Sequence, residues 1–163
     1  MTDDGALGSL ETGLQPIARI FATVDLERAL VEHGRAAAEA ETAVEEPLLG
    51  ARVAVVDAGT DGTIAIAEPI TEARLAATLA RHGEGVVGRY VSLAPGDDLA
   101  VFQRRAAALG IAVSRAADGP FGRAVLVPPV PSPGRIWSWS SDDRYHRSHD
   151  RPPPDDGPSG RCR

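Results

Sequence analysis

The stretch TIAIAEPITEARLAATLARHGEGVVGRY, residues 63–90, decides the fold. Thr63 to Ala67 is apolar and β-branched, and Pro69 ends it, so a strand is predicted. Thr71 opens a helix over Glu72 to Arg81, with Leu75 and Leu79 on one side. Gly83 to Gly85 stops that helix, and Val86 to Leu93, VVGRYVSL, is again a strand. Upstream, Ala51 to Asp57 is a strand that the GTDG turn, residues 59–62, folds back on 63–67 as an antiparallel hairpin. Before it come a strand at Ile17 to Val24, an N-cap candidate at Asp25 and a helix with Leu26, Ala29 and Leu30 on one face. Ala36 to Glu46, rich in Ala and Glu, reads as further helix or as a solvated loop before Pro47.

Downstream of Leu93 the order begins again. Pro95 to Asp98 is a turn with an N-cap, and Leu99 to Leu109 is a helix facing Leu99, Phe102, Ala106 and Leu109 inward. Gly110 closes it. Ile111 to Arg115, Arg123 to Val127 and Gly134 to Ser140 read as strands, separated by the DGPFG turn at 118–122 and a Pro-rich turn at 128–133. A strand, a helix and further strands thus occur twice, an internal repeat of roughly 50–60 residues. The fold class is α+β.

Composition bounds the rest. The 163 residues suit one domain with tails, read as a leader at 1–14, a domain at 15–140 and a disordered tail at 141–163 that is charged and Pro-rich. The net charge of −6 argues against nucleic acid as a partner. The chain has Arg but no Lys, as the codon bias of a high-GC genome produces. Cys162 is the single cysteine, so no intrachain disulfide forms and a cytoplasmic location is expected. No apolar run reaches the ~18 residues of a membrane span, and the first residues lack a signal-peptide pattern.

Two phrases are more specific: TIAIAEP followed after a helix by LARHGEGVVGRY, and GPFGRAVLVPPVPSPG from Gly119. Together with the opening IARIFATVDLERAL they resemble the vicinal oxygen chelate superfamily (glyoxalases, bleomycin-resistance proteins and ring-cleaving dioxygenases), nearest its methylmalonyl-CoA epimerase-like branch. The resemblance implies two βαβββ modules forming a cupped mixed sheet, with helices on the outer face, and a homodimer. In metal-dependent members four inward His, Glu or Gln side chains, two from each module, hold a divalent cation. Carried onto this chain, those positions are Ala18, Ala65, Gly88 and Ser138. None is a competent ligand, so neither a metal nor another cofactor is expected.

Strand alternation extends the cup from those four positions to Ile20, Thr63, Tyr90, Ser92 and Ile136. Such small apolar residues either line a pocket for an apolar or aromatic ligand or fill a collapsed core. Tyr90 is the foremost acid or base in the cup and Ser138 the second, both as catalytic candidates. His33 and His82 read as histidines at helix ends, Glu84 as a turn residue, and Arg123 as a surface ion-pair partner. His146 and His149 have ligand spacing but fall in the tail. The expected function is metal-free binding of a small molecule, as in superfamily members that sequester antibiotics. The alternatives are a lyase or isomerase of the glyoxalase/epimerase type, a metal-independent isomerase or cyclase of natural-product metabolism, or a structural partner whose cup is filled.

Overall fold

The computed structural model describes residues 14–93, 97–127 and 136–140. The first module runs β1 (Gln15–Ala22), α1 (Leu26–Glu32), a 3-10 turn, β2 (Val44–Glu46), β3 (Ala51–Asp57) and β4 (Thr63–Pro69). A linking helix, α2 (Arg74–His82), follows. The second module runs β5 (Gly85–Ser92), α3 (Leu99–Ala108), β6 (Ala117–Gly119), β7 (Gly122–Val127) and β8 (Ile136–Ser140). Two βαβββ modules are therefore present. Local signals set their boundaries. Asp25 caps α1 by accepting from the Arg28 amide, Asp98 caps α3 through the Ala100 amide, and Gly83 ends α2 at a φ of 74°.

All eight strands form one mixed sheet in the order β2-β3-β4-β1-β5-β8-β7-β6. The first strands of the two modules pair antiparallel at its centre; β4 lies parallel to β1, and β8 parallel to β5. The modules are thus related by an approximate two-fold axis between β1 and β5.

Alternation divides the core between two faces. Ala18, Ile20, Ala22, Ala51, Val53, Ala65, Ala67, Tyr90 and Leu126 form the inner cluster. On the opposite face, Leu26, Ala29 and Leu30 of α1 pack on Val56, Ile64 and Ile66, while Leu99, Phe102 and Ala106 of α3 pack on Val91, Val125 and Val127. These two helices cover the outer face as expected. The linking helix instead sends Leu75 and Leu79 into the inner cluster, beside Leu49.

The sheet curls until its two end strands, β2 and β6, lie against each other, with Glu46 beside Gly119. This closes the cup along a seam.

Four local readings are corrected. The Ala/Glu-rich stretch 36–46 ends in β2, because Val44 to Glu46 pairs with Ala51 to Val53 across a tight turn. Residues 111–115 are irregular, not a strand. Ile111 and Val113 pack against the α3 cluster, and Ser114 is pinned to Leu126 by two hydrogen bonds of 2.9 and 2.7 Å. The edge strand falls later, at Ala117–Gly119, where a turn was read. Leu109, expected inside, is 40% exposed as the residue that caps α3. Among the described residues, no helix is long and apolar enough to cross a membrane.

Candidate functional site in the cup

The ladder register brings the predicted positions together. Ile20 pairs with Ala65 on one side and Gly88 on the other, and Gly88 pairs with Ile136, so one inner rung spans the four central strands. The next rung runs from Ala18 to Tyr90 and Ser138. The positions where the resemblance implies metal ligands (Ala18, Ala65, Gly88 and Ser138) thus fall on two adjacent rungs. A bulge between Ile20 and Phe21 adds Val87 to the inner cluster beside Gly88. Thr63 starts β4 opposite Asp57 and is half-buried. Ser92 lies at the far end of its strand, where its hydroxyl reaches the Gln15 carbonyl at 3.5 Å.

Tyr90 is 1% exposed, and its hydroxyl donates to Glu46 Oε2 at 3.0 Å. Glu46 is also 1% exposed. Its other oxygen, Oε1, accepts from the Leu48 amide at 3.1 Å, within the turn that follows β2. Phe121 stacks tilted against the Tyr90 ring, with centroids 4.8 Å apart. The carboxylate lies directly against Gly119, where a Cβ would collide with Glu46 Oε2 unless the carboxylate shifted.

Burial raises the Glu46 carboxyl above its ordinary value, against the pull of the Leu48 and Tyr90 hydrogen bonds. Burial first, then the neighbouring carboxylate, pushes the Tyr90 phenol well above its usual value. The phenol is therefore a persistent donor. The carboxyl, in contrast, can hold or release a proton. Glu46 is not among the residues that the sequence singles out. The available signal was weak: two acids directly before Pro47 and the apolar Leu48-Leu49 pair.

The other titratable candidates have local roles. Glu84 accepts from the Val24 amide and the Thr23 hydroxyl, both at 2.8 Å, and from Arg28 Nη2 at 2.6 and 2.8 Å. These bonds, the backbone one foremost, lower its carboxyl to about 2. They also tie the start of β5 to the start of α1. His33 caps α1, with Nδ1 2.8 Å from the Ala29 carbonyl and its ring edge-on to Phe21. Arg123 meets Asp118 at 3.8 Å on the surface. His146 and His149 lie outside the described residues. Among the described residues, no group of three or more His, Cys, Asp or Glu could hold a metal ion. An open cleft of about 550 Å³ lies on the other face of the sheet, between Phe21, His33, Asp57 and Val86, and no predicted site residue lines it.

No family model and no curated protein matches the chain. Solved structures do match in fold. Methylmalonyl-CoA epimerase from Mycobacterium tuberculosis superposes with a TM-score of 0.61 at 20% identity, covering 83% of this chain and 92% of that one. A variant of the Streptomyces coelicolor methylmalonyl-CoA epimerase, in complex with 2-nitronate-propionyl-CoA, gives 0.59 at 20% identity, covering 80% and 99%. A hypothetical protein from Bacillus halodurans gives 0.60 at 13% identity, covering 81% and 96%. At these identities the likeness shows the fold alone: two paired βαβββ modules in one mixed sheet.

Proposed function

We propose that the cup binds one small molecule, with an apolar or aromatic body and a carbonyl or hydroxyl group that meets Tyr90 and Glu46. Its walls would be Ala18, Ile20, Thr63, Ala65, Gly88, Ser92, Ile136 and Ser138, with no metal held by the protein. The observation that carries this reading is the Tyr90–Glu46 hydrogen bond, buried in a cluster that is otherwise Ala, Val, Leu, Ile and Phe121. Burying a carboxyl costs stability, and such groups concentrate at functional sites. The small side chains at Ala18, Ala65 and Gly88 leave room for a ligand once Leu49, Leu79 and Phe121 shift.

The test is calorimetric titration and thermal denaturation with propionyl-CoA, methylmalonyl-CoA and a set of neutral aromatic compounds. At least one should saturate and raise the melting temperature; a ligand at 100 times its Kd adds about 2.7 kcal/mol. Tyr90→Phe should weaken that binding by about tenfold, the worth of one hydrogen bond. Absence of any saturable binding, or affinity unchanged in Tyr90→Phe, overturns the reading.

A second reading has its own observation. Glu46, with its raised carboxyl beside a phenol donor, has the makings of a general base in a proton-transfer isomerase or epimerase. The two epimerases named above share the fold, and their substrate class supplies the probe. Exchange of the α-proton of propionyl-CoA or methylmalonyl-CoA with deuterated water, followed by NMR, should be catalysed by the chain and lost in Glu46→Gln. Equal exchange with and without protein removes this reading while leaving the binding one in place.

A further inference from the structure

The residues of the inner cluster are buried, so a ligand needs a way in. We infer that the cup is entered through the β2–β6 seam, and that Gly119 is the catch that lets the seam shut. The inference rests on the reading of the cup as a binding site, and deepens it by assigning the route.

Four observations converge on the seam. First, β2 and β6 are the end strands of the sheet order, so the hydrogen-bonded ladder that joins every other neighbouring pair is not continued between them. Second, both are three residues long, against seven and eight for β3, β4, β1 and β5. Third, the polar pair lies directly behind the seam. Glu46 is the last residue of β2, Gly119 the last of β6, and Phe121 covers Tyr90 from the turn that follows. Fourth, the hairpin carrying β6 has its own anchor. Ser114 is held to Leu126 at 2.9 and 2.7 Å, and the Gln103 side chain reaches the Ser114 carbonyl at 3.4 Å.

This arrangement separates what moves from what stays. The hairpin tip, residues 118–123, can swing away from β2 with its own β6–β7 pairs intact and Ser114 as the fixed point. On the other side, Glu46 remains set by its own turn, since the Leu49 and Gly50 amides both donate to its carbonyl at 3.2 and 3.0 Å. The Tyr90–Glu46 bond needs nothing from β6. Lifting the hairpin therefore uncovers an assembled polar pair.

Gly119 enters because the carboxylate lies against its backbone. An added Cβ would sit 3.0 Å from Glu46 Cδ and 3.3 Å from Oε1, and closer still to Oε2. A side chain at 119 either pushes the Glu46 carboxylate aside or holds the seam ajar, and the first course breaks the bonds from Tyr90 and the Leu48 amide.

The test measures access directly, without a ligand. In a Cys162→Ser background, Ala65→Cys places a thiol on the inner face, and Ala54→Cys places one in the cluster under α1. The labelling rate with N-ethylmaleimide is compared with and without Gly119→Ala. The inference expects Gly119→Ala to speed labelling at position 65 at least tenfold, with position 54 within twofold. No acceleration at 65, or equal acceleration at both, overturns it. If Gly119→Ala fails to fold, hydrogen exchange on the unaltered chain decides. Amides of 44–49 and 117–122 should exchange together and at least tenfold faster than those of 63–67; exchange as slow as in 63–67 overturns the gate. A chain whose seam opens but which binds no probe in the titrations keeps the gate and loses the binding site. The reverse result keeps the site and loses the gate.

Discussion

At the scale of single residues, Tyr90 and Glu46 form a unit. Tyr90→Phe leaves Glu46 Oε2 without its phenol donor in a buried setting, and should cost about 1–3 kcal/mol. With Glu46→Gln as second mutation, a double-mutant cycle by chemical denaturation should show clear non-additivity. The Glu46 and Glu84 carboxyls act on stability in opposite pH ranges. Glu46 is raised in the fold, so its contribution is fully present below the ordinary carboxylate range and fades as pH rises through the folded value. Glu46→Gln should accordingly be more stable than the parent at neutral pH, and the advantage should vanish in acid. Glu84 is lowered to about 2, so its contribution is present above the ordinary value of 4.5 and is lost as pH falls toward 2. Glu84→Gln should flatten the acid limb of the denaturation curve below pH 5; an unchanged limb would contradict the assignment. The inner-face positions were legible because the resemblance picked out Ala18 and Ala65, and alternation along the long strands then added Ile20 and Tyr90. Glu46 was not legible. Three residues carry too little alternation to reveal an inward side chain, and what buries Glu46 is a strand more than 70 residues away.

At the scale of elements, the long strands and all three helices could be read because each carries its own pattern and stop signal. The failures were the short pieces. Residues 111–115 alternate as a strand does, yet the alternation serves packing against α3, and Ser114 uses its hydrogen bonds on Leu126. The linking helix also exceeded its reading: Leu75 and Leu79 form part of the inner cluster as well as one apolar stripe. Leu75→Ala should cost about 2–5 kcal/mol in denaturant unfolding, as expected for a fully buried leucine. The turn between β2 and β3 gives a sharper case. Gly50 has a φ of 65°, and a Cβ there would strike Thr71 and Ala73 at the entrance to α2. Gly50→Ala should cost about 2–3 kcal/mol. A cost under 0.5 kcal/mol would mean that α2 is free to shift.

At the scale of the whole molecule, the modules share the β1–β5 ladder, one inner cluster and the Glu84 tie. They should melt together. Calorimetric and van't Hoff enthalpies should agree, and a resolved second transition would show that the halves fold apart. We also propose a homodimer, for which sedimentation should report about twice the chain mass of 17.0 kDa. The seam between β2 and β6 has a last consequence, for solubility. Closed, it sets the two end strands against each other, and end strands are the part of a sheet that most readily recruits another chain. A gate built from those strands exposes two sticky borders each time it opens. Variants held ajar at Gly119 should therefore precipitate or exchange hairpins between molecules at concentrations where the parent stays clear.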